Sequence, residues 1–282
     1  MLDGFVDFVL EKVPLWGVAI LLILLCLAAR RAGVWVRQRF HPQSPAPPES
    51  AGSDPSDYIV GAIFGLLAFM MGFTFAMAMD RYSDRRTAVR EEADALRTTY
   101  LTASVLDQPS ASRTQYAVRQ YAHSRIAPEG LWNDRTEAAL NESHALGLRA
   151  WQEIRAAILP IRDTDLATYL VETTNEAISQ GRHREILGRT HLPVLILDLL
   201  LVYTIVAAGV LGYIVGPERR GARHASTALL VLYTAALIVI IDLDRPQEGM
   251  IKISQQPILD VVGIMDADRD GSLSRPPPAP PN

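Results

Sequence analysis

The sequence predicts an all-α membrane protein with four transmembrane helices and a helical soluble insert between spans two and three. Three observations predict it. Of the 282 residues 49% are apolar and only 21% charged, which is on the apolar side for a soluble chain. The apolar surplus gathers in four blocks nearly free of charge, residues 13–29, 58–79, 192–215 and 225–241, each close to the ~20 residues a helix needs to cross hydrocarbon. Between the second and third blocks, apolar residues recur at helical spacing among charged ones.

The expected organisation follows in chain order. Residues 1–30 hold the N-terminal tail and first span, 31–57 a disordered Pro/Ser linker, and 58–80 the second span. Residues 81–191 form the soluble insert and 192–243 the third and fourth spans. An extended C-terminal segment over 244–265 and a disordered Pro-rich tail over 266–282 complete the chain. The first block is read as a retained anchor, since Asp3, Asp7, Glu11 and Lys12 precede it where a secretory signal would be basic. Its Cys26 is the only cysteine, so no disulfide can form within one chain and a small apolar core role is expected. HPQSPAPPESAGSDPSD in the linker and SRPPPAPPN in the tail are too rich in Pro and Ser for regular helix. No basic tract of five or more occurs, which argues against nucleic acid as a partner.

Within the insert, Tyr82, Val89, Ala93, Leu96, Tyr100 and Ala103 form one stripe, so the second span is expected to continue as a long amphipathic helix. Asp107, Gln108 and Pro109 break it. A helix over 110–126 follows, with Ser110 or Ser112 as its cap. A third runs over 133–159, carries Leu146, Trp151, Ile154 and Ile158, and stops at Pro160. A fourth starts near Asp163, with Leu166, Tyr169, Leu170, Ala177 and Ile178 on one side, and leads to Pro193, which suits the first turn of span three. Gly216 and Pro217 separate spans three and four, which the short loop makes antiparallel neighbours.

Span two carries the most information. Gly61, Gly65, Ala68, Gly72 and Ala76 fall at helical spacing and begin with a GxxxG pair, a flat face that another backbone could approach. Helix packing is the ordinary role of such residues. Phe69, Phe73 and Met77 recur every four residues and could form either a dewetting constriction or plain core and lipid contact. Asp198 lies inside span three, where an acid must face protein or water; a hydrogen bond to neighbouring helices and an ion pathway both fit. Asp80 and Arg81 close span two, and Asp242, Asp244 and Arg245 close span four. Two connecting runs separate these ends, so the charges share one membrane face. The acids are expected to fold against Arg81, Arg85 or Arg245 as a structural lock, with Pro246 stopping the helix and GMIKISQQP extended after it. DADRDGSL from Asp266 resembles the front of a calcium loop, but position twelve is Pro277 instead of the bidentate glutamate, so an acidic solvated turn is the reading. No metal, cofactor or catalytic constellation is expected, and His183 and His191 read as surface residues.

The run GFTFAMAMDRYSDRRTAVREEADAL, followed after a helical insert and a further hairpin by LDRPQEGMIKISQQP, resembles the bestrophin-like domain proteins, four-span membrane proteins. The resemblance covers about residues 58–257. The family name points to the bestrophins, pentameric chloride-permeable channels whose second span lines the pore and whose long insert is cytosolic. What the resemblance implies is a homo-oligomer, a pentamer, in the cell membrane with chloride or another anion as permeant species, and termini and insert in the cytosol. Gly72 and Phe73 are similar to the neck pair of that pore helix and Phe69 falls on another neck aromatic, whereas Gly65 stands where the channels have a branched apolar residue. The arginine-phenylalanine-proline motif and the acidic run after the last span are missing, so calcium gating is not implied. Lysine and arginine near the spans leave orientation open, since counting short loops favours one side and counting the flanks of the insert the other. Two functions stand beside each other: an anion-permeable channel with span two at the axis, and a non-conducting scaffold whose insert binds a partner.

Overall fold

The computed structural model describes residues 14–40, 55–126, 137–215, 220–245 and 250–269. Residues 41–54 of the Pro/Ser stretch before span two, the turn at Gly216 and Pro217, Pro246, Gly249 and the Pro-rich tail lie outside the described residues. All regular structure among the described residues is helical: α1 (Leu15–Phe40), α2 (Pro55–Ala103), α3 (Ser110–Ser124), α4 (Glu137–Ile158) with a 3-10 turn Leu159–Ile161, α5 (Asp165–Arg189), α6 (Val194–Val215), α7 (Arg220–Asp244) and α8 (Gln256–Arg269). Four of the helical stretches are long and apolar enough to cross a membrane. The chain divides into two compact units, Met1–Asp80 with His191–Ile251 and Arg81–Thr190 with Lys252–Asn282.

The first unit is the membrane bundle. Val18, Leu22, Cys26 and Arg30 recur every four residues along α1 and are buried, so one stripe of α1 faces its neighbours. Small residues let α6 come close to it: a Cβ built on Gly33 would fall on the Gly209 carbonyl, and one on Gly212 would fall on the Arg30 carbonyl. Cys26, Ala208, Leu211 and Leu230 form the common core of α1, α6 and α7. Arg30 donates Nη1 to Thr227 Oγ1 at 2.5 Å, and Arg37 donates to the Tyr213 and Ile214 carbonyls at the end of α6, where a helix leaves acceptors unused. Thus α1 runs ten residues past the boundary expected at residue 30, because Arg37 has the α6 terminus to bind.

The second unit is the insert. Val89, Ala93, Leu96, Tyr100 and Ala103 of α2 are buried as the stripe predicts and pack with Val118 and Tyr121 of α3, Ile154 of α4 and Leu170 of α5. Three terminal details differ. Helix α3 begins at Ser110 without a side-chain cap, since Pro109 holds the N-cap position, and Ser112 donates its hydroxyl to Gln108 Oε1. The cap of α5 is Thr164, whose Oγ1 accepts from Ala167 N at 3.3 Å, which starts the helix two residues after Asp163. Tyr169 is exposed, on the outer side of α5.

The C-terminal segment is a correction. Residues 256–265 are helical where an extended segment was expected, and Asp266 to Arg269 continue that helix where a disordered tail with an acidic turn was expected. Ile258, Val261, Val262 and Met265 recur at helical spacing and are all buried in the insert core, a pattern that outweighs the alternation around Ile251 and Ile253. The acids have partners: Asp266 meets His123 at 3.1 Å and Arg119 at 3.7 Å, and Tyr100 donates its hydroxyl to Asp268 at 2.8 Å. Burial, with Asp268 next, pushes the Tyr100 hydroxyl up to about 12.

A buried charge cluster ties α2, α3, α4 and α5. Arg125 donates to Glu92, Glu185 and, at 2.7 Å, the Gly181 carbonyl. Arg184 lies 2.7 Å from Glu92 and donates to the Arg125 carbonyl, while His144 meets Glu185 at 3.1 Å. Two guanidiniums thus balance two carboxylates where an unmatched charge would be costly. Burial works against charge on both Arg125 and Glu185, yet the surrounding acids raise the Arg125 pKa, and the bond and charge of Arg125, with His144, hold Glu185 below the ordinary carboxylate range.

Three outcomes follow for the full chain in detergent. Gly212→Ala should lower stability by about 1–3 kcal/mol, the usual cost of overpacking, whereas Gly263→Ala, whose Cβ would meet nothing within 4 Å, should not lower it. Glu92→Gln strands positive charge and should cost about 3–5 kcal/mol. Glu185 has a folded pKa below its unfolded one, so its contribution is present above the unfolded value and is lost as pH falls through the folded one. Thermal melts over descending pH should therefore lose that share of stability below the ordinary carboxylate range, and Glu185→Gln should remove the step.

Candidate functional site

The stretch of α2 from Tyr58 to Asp80 has two unlike faces. Leu67, Met71, Thr74 and Ala78 are buried at helical spacing, and Thr74 returns its hydroxyl to the Met70 carbonyl. The opposite side is exposed among the described residues. Phe69 is 71% exposed and Phe73 58% exposed, and Cβ atoms built on Gly61, Gly65 and Gly72 would find no atom within 4 Å. Among the described residues these three glycines therefore meet no neighbour within the chain, and the close approach of helices is made at Gly33 and Gly212. Met77 is half-buried at the border between the faces, and Asp80 is exposed. Seven residues separate Asp80 from Phe73, about 20° short of two full turns, so Asp80 shares the phenylalanine face. Arg81, one residue on, is half-buried.

Two tyrosines hold this helix in its rotation. Tyr203 of α6 donates its hydroxyl to the Ile63 carbonyl at 3.2 Å, and Tyr233 of α7 donates to the next carbonyl, Phe64, at 3.3 Å. The Tyr233 ring also sits 5.5 Å from that of Phe64. A phenol inside an apolar span must find an acceptor, and that was the available signal in the sequence for both residues.

At the far end of α7 the acids are taken up structurally. Asp242 accepts the backbone N–H groups of Met250 and Ile251 at 2.8 and 3.2 Å, and Asp244 accepts that of Leu192 at 2.8 Å. His191 adds a contact to Asp244 at 3.7 Å. Both acids thus hold amides of the chain, Asp242 where it leaves α7 and Asp244 where it enters α6. Arg85 donates to the Leu187 and Thr190 carbonyls, capping the end of α5. Arg245 follows the last residue of α7 and bonds Ile241 through its backbone. Asp198 is half-buried in the second turn of α6. The structure thus brings Phe69, Phe73 and Asp80 onto one open face and places Asp242 and Asp244 in a closed joint. Among the described residues no group of three or more His, Cys, Asp and Glu could hold a metal ion.

Asp242→Ala leaves two backbone donors without their acceptor and should cost about 3 kcal/mol or more, at about 1.5–3 kcal/mol for each bond to a charged group. Asp80→Ala should change stability by less than about 0.5 kcal/mol, as surface substitutions do. Melting temperatures of the two variants check the contrast.

No curated protein sequence matches this chain. Solved structures do. A bacterial Bestrophin homolog from Klebsiella pneumoniae is 14% identical, with a TM-score of 0.65 over 90% of this chain and 97% of its own. Two point mutants described as forms of such a homolog from the same organism give TM-scores of 0.67 at 13% identity, covering 89% and 91% of this chain and 98% of theirs. At that identity the likeness is one of fold. Residues 24–258 match the model of the Bestrophin-like domain, a stretch that includes most of α1 and everything from α2 to the start of α8. This four-span membrane protein belongs to the Bestrophin-like domain family.

Proposed function

We propose that the protein is an oligomeric ion channel in which copies of α2 surround an axis. The observation that carries this reading is the open face of α2: aromatic side chains and bare glycine backbone stand exposed on a helix whose other side is fully packed. A lipid-facing helix gains nothing from such glycines, whereas a helix approached closely by its symmetry mates does. Gly61, Gly65 and Gly72 then give room for the neighbouring copies, and Phe69 and Phe73 narrow the lumen as a hydrophobic constriction that dewets, with Met77 at its border. The tyrosine bonds to Ile63 and Phe64 fix which face of α2 the lumen receives. A pentamer with chloride or another anion as permeant species is what the family resemblance implies, and the insert and both termini are then in the cytosol.

Full-length protein in liposomes should pass monovalent ions down a KCl gradient, and Phe73→Ala, which widens the constriction, should raise the flux at least about threefold, given that the barrier is one of dewetting. Absence of flux from both proteins would refute the pore. Orientation has its own check. An impermeant thiol reagent applied to intact cells should label Gln38→Cys and leave Glu142→Cys unlabelled, both positions being exposed in the chain; the reverse pattern puts the insert outside.

A further inference from the structure

The arginines of α1 separate onto opposite sides of their helix. Arg30 and Arg37 continue the inward stripe of Val18, Leu22 and Cys26, and their guanidiniums are taken up by Thr227 and by the last carbonyls of α6. Arg31 and Arg39 lie on the outer side with Trp35 between them. At 100° per residue, Arg31 and Trp35 fall about 20° to either side of the direction opposite the buried stripe, and Arg39 about 60° from it. All three are exposed, Trp35 by 61%. Neither arginine makes an ion pair or a side-chain hydrogen bond among the described residues.

Two further observations say what this side meets. Ile20 and Leu24 precede the arginines on it and are exposed, in a helix long and apolar enough to cross a membrane, so the outer side of α1 is the one that hydrocarbon favours. Trp16, 69% exposed, stands 19 residues before Trp35, about 28 Å along the axis, which matches the ~30 Å thickness of a hydrocarbon core. Tryptophan collects at the two boundaries between membrane and water. Trp35 therefore marks the boundary at the C-terminal end of α1, with Arg31 one turn below it and Arg39 one turn above. Acids are scarce at this end: α1 contains none, and between residues 199 and 241 Glu218 is the one acid in the sequence, against Arg219, Arg220 and Arg223.

We infer that Arg31, Trp35 and Arg39 form a binding site for an anionic phospholipid at the C-terminal end of α1. The Cα atoms of the two arginines stand about 12 Å apart along the axis, and their long side chains let both guanidiniums reach headgroup level, Arg31 by snorkelling outward. A guanidinium takes phosphate oxygens as a pair. A zwitterionic lipid offers the same phosphate but brings an ammonium that the arginines repel, so a headgroup of net negative charge is the better ligand. The indole fills the boundary between the two charges, and the acyl chains run along Leu24 and Ile20. The site does not depend on the pore reading or on which way the chain is oriented.

The test is fluorescence quenching by brominated lipids. Full-length protein carrying Trp16→Phe, Trp132→Phe and Trp151→Phe keeps Trp35 as its one tryptophan. In liposomes, brominated phosphatidylglycerol should quench it with an affinity at least about fivefold above that of brominated phosphatidylcholine, the factor that one basic residue contributes near an anionic surface. Arg31→Gln together with Arg39→Gln should bring that ratio to about one, while Arg149→Gln on the insert leaves it unchanged. Size-exclusion profiles that match the parent show that the variants assemble. The parent and the arginine double variant, both with all four tryptophans, give a second reading: washed in detergent after exposure to both lipids, the parent should retain at least about fivefold more phosphatidylglycerol than the double variant. Equal quenching by the two lipids, or equal retention, overturns the inference. A preference that survives the loss of both arginines overturns their role. Quenching by neither lipid means that protein covers this side of α1, a second copy included, and overturns the site as well.

Discussion

A bilayer interior offers no water to a stray donor or acceptor, and the membrane unit is arranged around that constraint. Helices satisfy their own backbones, and the polar side chains within them are handed back to the same ladders. Thr74, Thr204 and Thr234 each donate to a carbonyl four residues earlier, and Tyr203 and Tyr233 donate to consecutive carbonyls of α2. Where the ladders end, charge takes over: Arg37 covers the last carbonyls of α6, and Asp242 and Asp244 receive amides of the chain as it leaves α7 and enters α6. Beside these engaged groups, the outward face of α2 carries exposed aromatic side chains and bare glycines.

The acids of this chain consequently divide into two kinds. One kind is fixed in place by geometry. Glu92 is wholly buried between Arg125 and Arg184, in a cluster that breaks if any one member goes. The other kind stands exposed along the phenylalanine face of the same helix. That division is not visible in the count of charges, which nearly cancel across the chain at a formal net of −4.

Much of the fold is legible from residue spacing. The four spans follow from apolar length, and the continuity of α2 follows from a stripe that runs from Val89 to Ala103 without a break. The C-terminal helix had the same kind of signal in Ile258, Val261, Val262 and Met265, but the alternating residues before it pointed to an extended segment. What spacing does not carry is which small residues meet. Gly61 and Gly65 form the more regular motif, yet Gly33 and Gly212 make the close approach within the chain, because contact depends on which helices become neighbours. The Glu92–Arg125–Arg184 cluster was invisible for a similar reason: its members come from helices far apart in sequence, and each alone looks like one more surface charge. For the candidate site, Phe69 and Phe73 were readable from their interval, whereas the tyrosines that orient them needed the structure to name the carbonyls.

The central claim is that the open face of α2 meets its counterparts on other copies. Oxidative cross-linking in native membranes tests it most directly, with Cys26→Ala as background, Phe69→Cys on the α2 face and Leu232→Cys, 68% exposed on α7, as comparison. The account predicts disulfide-linked species from Phe69→Cys and none from Leu232→Cys. Phe69→Cys remaining uncross-linked, or linking no better than Leu232→Cys, would contradict it.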